Sequence, residues 1–328
     1  MGKTNKYSWS FSRSAALAEC PRRAFYEYYS SGEPDFGSDA WRLKELVSLP
    51  MFAGSTVDYV ISRGLDRIRA GADVSEMAEA GRRHFRKGLK RSTEIVNVMR
   101  RRARTMDERK SEPFHGLLHD YYELNLGVEY VELLESRVVE CLTRFEESEV
   151  FERVRAAEPA NWGTIAKVDE DVAPSFSLRG FKVYAAFDFV FYEDSELFIL
   201  DWKTGADRCS AKETADRQLG VYALWAASAR RHPINCIHTQ AVWLQSDAEW
   251  QPRHVDRDEL KRLRDGILAE IEAEQSLLSI KRFKNRTEYW AQLKDFPARP
   301  SGKICLNCKF REICAEGRGA CSHVRVVA

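Results

Sequence analysis

The sequence predicts a mixed α/β core set inside a helical frame, and three observations lead to that class. From residue 40 to about 155, apolar residues recur at three- and four-residue spacing, as in Val57, Ile61, Leu65 and Ile68, the period of an amphipathic helix. Near Pro159 the character changes to short runs rich in Val, Ile, Phe and Tyr, separated by Pro, Gly and acidic turn signals, which is the pattern of strands. A helix, a strand and a final helix follow, so strands and helices alternate around one core.

Residues 12–30 read as a helix carrying Cys20 and the aromatic patch Phe25, Tyr26, Tyr28 and Tyr29. Residues 31–39, with Pro34 and two glycines, read as a loop. Within the helical stretch, residues 82–104 hold ten Lys/Arg and the single acid Glu94, whereas 131–154 is acid-rich. Strands are expected at 163–170, 175–180, 182–192 and 197–203. Residues 212–230 return to helix, with Leu219, Tyr222, Ala223 and Ala226 on one stripe. A strand is expected at 236–245, a charged amphipathic helix at 256–280, and a loop-like tail from Pro297 that holds four of the eight cysteines. The organisation expected is an N-terminal segment (1–30), a helical region with the basic stretch (31–160), a core (161–250) and a C-terminal helix with a cysteine triplet (251–328).

Composition narrows the classes. The chain has 328 residues, 44% hydrophobic and 31% charged, which excludes collagen-like and wholly disordered proteins. Lys plus Arg number 51 against 50 Asp plus Glu, so no global field dictates a nucleic-acid or membrane partner. No apolar run approaches the ~18 residues of a membrane span, and the basic start Met1–Lys6 is followed by polar residues rather than an apolar secretion core. The expected location is the cytoplasm, where clustered cysteines indicate metal or redox chemistry. No G-x-x-x-x-G-K-[ST] phosphate loop is present.

The most informative stretch is Phe187–Gly205. Two strands flank the polar connection Glu193-Asp194-Ser195-Glu196 and form a hairpin. A hairpin symmetric about Asp194 and Ser195 sets Asp188 opposite Asp201, with Cβ atoms roughly 4.5–5.5 Å apart. Like charges at that distance repel unless a cation lies between them. Strand alternation puts Asp201 and Lys203 on one face and Trp202 on the other. Two carboxylates suit Mg²⁺ or Mn²⁺, which lowers the pKa of a bound water and stabilises charge on a phosphate. A neighbouring lysine can hold the water or the phosphate. The plain alternative is a strand end at the surface. Gln218 and Tyr222, four apart on one helix face, could add a water or phosphate contact and its brace.

Cys305, Cys308 and Cys314 give C-x2-C-x5-C, three ligands of a four-thiolate metal centre. Cys321 is the local candidate for the fourth and Cys20 the distant one. Zn²⁺ and an iron–sulfur cluster both fit these residue types.

Together these features resemble the PD-(D/E)XK nuclease superfamily, in particular its RecB-like iron–sulfur branch of CRISPR-associated exonucleases and AddB-type nuclease domains. The likeness runs from Tyr7–Ser10 and Cys20–Arg23, through Gly54–Asp58, Asp188, Asp201–Gly205, Gln218 and Tyr222, to Pro300–Cys314. It implies a mixed-sheet nuclease core and cleavage of DNA with Mg²⁺ or Mn²⁺. Asp58, Asp188 and Asp201 would hold the metal, with Lys203, Gln218 and Tyr222 completing the catalytic set. It implies a [4Fe–4S] cluster on Cys20, Cys305, Cys308 and Cys314 that joins the N- and C-termini, with Zn²⁺ as the alternative occupant. Exonuclease action on single strands or duplex ends is expected, in DNA repair, CRISPR or phage defence. DNA is the expected partner, with helicase, CRISPR or defence proteins beyond it and no membrane. One position departs from the branch: Asp58, on a helix expected to start near Ser55, stands where the branch usually has a metal-binding histidine, so either the metal preference differs or the site is weakened; the plain alternative is an aspartate that caps or solvates the first turn of that helix. The alternative to an enzyme is a catalytically weak iron–sulfur DNA-binding adaptor subunit. The basic stretch suits phosphate contacts or a solvated helix face. The aromatic patch is read chiefly as packing around the cluster.

Overall fold

The computed structural model describes residues 2–4, 7–30, 37–102, 105–111, 114–163, 173–205, 208–246, 248–284 and 286–321. The strand expected at 163–170 falls, beyond Gly163, outside these, as do residues 31–36 of the expected loop and the last two of the basic stretch. The chain forms two compact units, each built from separated stretches: Met1–Phe52, Arg86–Val131 and Glu270–Ala328 in the first, Ala53–Phe85 and Glu132–Ala269 in the second. No helix among the described residues is long and apolar enough to cross a membrane.

The second unit is built on a four-stranded mixed sheet. Its strands are β1 (Phe189–Glu193), β2 (Glu196–Lys203), β3 (Ile237–Trp243) and β4 (Arg253–His254), in spatial order β4-β3-β2-β1. β1 and β2 are antiparallel, β2 and β3 parallel, and β3 and β4 antiparallel. The parallel pair needs a crossover, which is helix α3 (Arg208–Ala229). β2 is buried at Leu197–Trp202, as a near-continuous apolar run requires for a strand covered on both faces. Helices α1 (Leu49–Arg69) and α2 (Val128–Glu146) contribute much of the remaining helical mass.

Three boundaries differ from the expectation here. The β1–β2 connection is a two-residue turn, with Asp194 and Ser195 at φ 47° and 71° and Glu193 paired to Glu196. Two consecutive positive φ values are the type I′ geometry that matches strand twist. The run 182–192 is not one strand: a pair at Ser175–Leu178 and Phe181–Tyr184 ends before Ala185, and β1 begins at Phe189. Helix α1 begins at Leu49, not near Ser55. Ser48 Oγ accepts from the Met51 amide at 3.4 Å and Pro50 lies in the first turn, a start signal present in the sequence.

In the first unit the helix expected over 12–30 is broken at Cys20 into Phe11–Glu19 and Pro21–Tyr28. Cys20, at φ −154° and ψ 106°, is extended, because proline excludes the helical region for the residue before it. Residues 37–39 start a helix, Gly37–Leu43, rather than ending a loop. The last long helix stops at Gln275, and an unforeseen hairpin, Leu278–Phe283 with Arg286–Ala291, follows. The tail also contains short helices Gly302–Leu306 and Ala315–Cys321. Phe25, Tyr26 and Tyr29 are buried. Tyr7 and Tyr29 donate to the Glu274 carboxylate at 2.7 and 2.9 Å, and Arg13 pairs with it at 2.9 Å. This aromatic patch is core.

Candidate active site and cysteine cavity

The β1–β2 register is the one the hairpin symmetry predicts, Phe189 facing Leu200 and Tyr192 facing Leu197. Asp188 lies one residue before the ladder. Its amide donates to the Leu200 carbonyl at 3.3 Å, and its Oδ2 accepts from the Trp202 amide at 2.7 Å. It therefore sits across from Asp201. Trp202 turns to the other face and meets Phe145 edge-on, with ring centroids 5.1 Å apart, a geometry worth ~0.5–1.5 kcal/mol beyond burial. That anchor fixes Asp201 and Lys203 toward the α3 side of the sheet.

Four side chains interlock there. Lys203 forms an ion pair with Asp201 Oδ2 and donates to Gln218 Oε1 at 2.7 Å. Gln218 Nε2 donates to the Tyr222 hydroxyl at 2.5 Å. The Tyr222 hydroxyl oxygen lies 2.8 Å from Asp201 Oδ1 and 2.6 Å from the Ala186 carbonyl, either of which can accept its proton. The irregular Ala185–Asp188 segment, missed from sequence, presents that carbonyl. Gln218 thus braces Lys203, and Tyr222 braces Asp201.

Asp58 comes from the middle of α1, so a helix-start role does not account for it. Gly54, one turn before it, stands against the end of β2: a Cβ there would lie 3.1 Å from Thr204 Oγ1. Asp58 keeps contact with solvent. Crowding by surrounding protein and then the charge of Asp201, partly offset by Lys203, push its carboxyl up to about 7. Desolvation, then Asp201 and Asp58, raise Asp188 well above the carboxylate range. Burial and Asp201 hold the Tyr222 hydroxyl neutral. The structure brings Asp188, Asp201, Lys203, Gln218 and Tyr222 together, and the charges of Asp201 and Lys203 act on Asp58.

The chemistry of the site fits a hard cation. Three carboxylates face one ammonium, and Asp201 Oδ2 is buried with no hydrogen-bond partner among the described residues beyond its ion pair. Among the described residues, no three or more His, Cys, Asp or Glu side chains are arranged to hold a metal ion. An ion such as Mg²⁺ keeps several waters and takes one or two protein carboxylates, which Asp188 and Asp201 could supply.

In the first unit, Cys20, Cys305, Cys308 and Cys314 line one small cavity beside Arg22 and Tyr26. All are free thiols. Cys20 Sγ accepts from the Arg299 amide at 3.5 Å and Cys314 Sγ from the Gly317 amide at 3.4 Å. Burial pushes the Cys308 thiol up to about 11, with Cys20 and Cys314 adding to the rise. Cys321 is outside that cavity wall, though the charge of Cys305 reaches it.

Much of the basic stretch is neutralised: Arg82 and Arg83 pair with Glu79, Arg91 with Glu94, Arg100 with Glu123 and Arg102 with Glu108. That supports the solvated helix face more than a phosphate track. No curated protein matches the chain. A family model does, over residues 8–315. On that match, which spans nearly all of the mixed α/β fold together with Asp58, Asp188, Asp201, Lys203, Gln218 and Tyr222, the chain belongs to the PD-(D/E)XK nuclease superfamily, whose members are generally phosphodiester-hydrolysing nucleases.

Proposed function

We propose that this protein is a divalent-metal-dependent deoxyribonuclease, acting on single strands or duplex ends as an exonuclease. The observation that carries the reading is the interlocked set at the end of β2. Asp188 and Asp201 face each other across a hairpin, with Lys203 beside them and Gln218 and Tyr222 fixing the geometry. Asp188 and Asp201 would hold Mg²⁺ or Mn²⁺, with Asp58 at the rim. Such an ion supplies a water of lowered pKa and neutralises charge on the phosphate. Lys203 has three donor protons; two serve Asp201 and Gln218, and the third holds the attacking water or a phosphate oxygen. Tyr222 stays protonated and keeps Asp201 Oδ1 oriented.

The four cavity cysteines are proposed to hold a [4Fe–4S] cluster. The four thiols line one cavity, and C-x2-C-x5-C with a distant fourth cysteine suits four-thiolate ligation of a cluster. Its sulfurs take backbone N–H bonds of the kind seen at Cys20 and Cys314.

A second reading is a catalytically weak iron–sulfur DNA-binding adaptor, working beside helicase, CRISPR or defence proteins. It is favoured by Asp58 in place of histidine. Labelled single- and double-stranded DNA incubated with Mg²⁺ or Mn²⁺ decides between them. The nuclease reading expects metal-dependent cleavage that is absent in Asp201→Asn. Binding without cleavage in either metal establishes the adaptor.

A further inference from the structure

Beside the carboxylates lies a cavity of about 220 Å³, enclosed by α3, β3 and the segment leading into β4. Its floor is Thr239, Ala241 and Trp243, alternate residues on one face of β3. In the parallel ladder these pair with Ile199, Asp201 and Lys203. Ala241 is therefore one strand spacing, ~4.8 Å, from Asp201. One wall is Ala215 and Leu219, the α3 stripe next to Gln218 and Tyr222. The cavity and the catalytic row share a sheet face and a helix.

Three observations define its occupant. The charged lining residues balance, Lys212 and Arg253 against Asp216 and Glu249. The deeper cation, Arg253, is already held by Glu259 at 3.1 Å and Asp216 at 3.7 Å, which disfavours a phosphate. Thr239 is wholly buried, and its Oγ1 has no hydrogen-bond partner among the described residues. Trp243 and the small side chains of Ala215 and Ala241 supply apolar lining beside these polar groups. A neutral, planar heterocycle with hydrogen-bonding edges satisfies all three.

We propose that this cavity receives the base of a nucleotide flanking the scissile phosphate. The proposal rests on the nuclease reading for its substrate, and it assigns the enzyme a base-binding subsite one strand away from the metal carboxylates. A base seated there would stack on Trp243, as bases stack on aromatic side chains in single-strand binding, and hydrogen-bond to Thr239. Gln240 shapes the rim. Its Oε1 accepts from the Gln251 amide at 3.0 Å and its Nε2 donates to the Glu249 carbonyl at 2.5 Å.

The test is binding of a single-stranded oligonucleotide carrying 2-aminopurine, measured on the full chain without divalent metal so that no cleavage is needed. Quenching of the probe on binding is expected. An otherwise identical competitor with one abasic position should compete about tenfold less well at one register only. Ala215→Met, which fills the cavity, should abolish the quench, and Thr239→Val should weaken binding several-fold. Equal competition by intact and abasic strands at every position overturns the proposal. So does an unchanged quench in a folded Ala215→Met. The abasic comparison uses wild-type protein, so a misfolded variant does not blunt it. Base-dependent binding with no cleavage on adding Mg²⁺ or Mn²⁺ would remove the nuclease reading and keep the subsite. Cleavage indifferent to the abasic position would do the reverse.

Discussion

Gly54 faces Thr204 so closely that a Cβ on the glycine would lie 3.1 Å from the threonine Oγ1. The contact seats helix α1 against the end of β2, one turn before Asp58. An added methyl must push either the threonine side chain or the helix. Gly54→Ala gains helix propensity, up to about 1 kcal/mol, so thermal stability should hold or rise. Cleavage should fall several-fold as Asp58 is displaced. Wild-type cleavage in Gly54→Ala would show that this approach does not set the site.

Asp58 itself is best separated from its helix by paired substitutions. Asp58→Ala should weaken metal affinity strongly. Asp58→His should retain activity and shift preference toward Mn²⁺, because imidazole nitrogen suits transition metals better than an all-oxygen set does. Metal-titrated cleavage assays check both. If Asp58→Ala titrates like wild type, the ion rests on Asp188 and Asp201 alone.

Asp188→Asn and Asp201→Asn should each abolish cleavage while the fold persists. The asparagine oxygen still accepts from the Trp202 amide or the Tyr222 hydroxyl, so the bonds at 2.7 and 2.8 Å survive. Removing one of three mutually repelling carboxylates should hold or raise the melting temperature of metal-free protein. Calorimetry in chelator reads the second outcome, and a large drop in melting temperature would contradict it.

The pH dependence has a definite sign. Asp58 rises from an ordinary 3.8 to about 7 in the fold, and Asp188 is also raised. Between those values the folded chain keeps a proton that the unfolded chain has released. Stability therefore falls as pH rises through that window. Metal-free wild type should lose melting temperature relative to Asp58→Asn from about pH 4 to about pH 7. Mg²⁺ should restore more of it above pH 7 than below. A wild-type profile parallel to that of Asp58→Asn would rule out the raised carboxyl.

For the cysteine cavity, Cys20→Ala should purify with depleted iron and reduced solubility, since metal sites couple to folding. Cys321→Ala should keep its full iron content. Elemental analysis and visible absorbance measure this. Iron lost only from the Cys321 variant would place the fourth ligand at Cys321.

The sequence by itself determined the β1–β2 hairpin and its register. A turn centred on Asp194 and Ser195 sets Phe189 and Phe191 beside Leu200 and Phe198 on one buried face and Val190 beside Ile199 on the other. It likewise determined the buried stripe of α3 and the cysteine spacing, because periodicity and spacing are local. The Ser48-Leu49-Pro50 start of α1 and the Cys20-Pro21 break were also written locally, in capping and proline signals that the apolar period obscured. Only the tertiary structure decided that Tyr222 holds Asp201 rather than a water, that the Ala186 carbonyl can also accept its proton, that Gly54 meets Thr204, and that a polar cavity lies beside Asp201. Each joins residues distant in sequence, and their meeting depends on how helices dock on the sheet. No local propensity encodes that docking; it follows from packing the whole core at close to crystalline density.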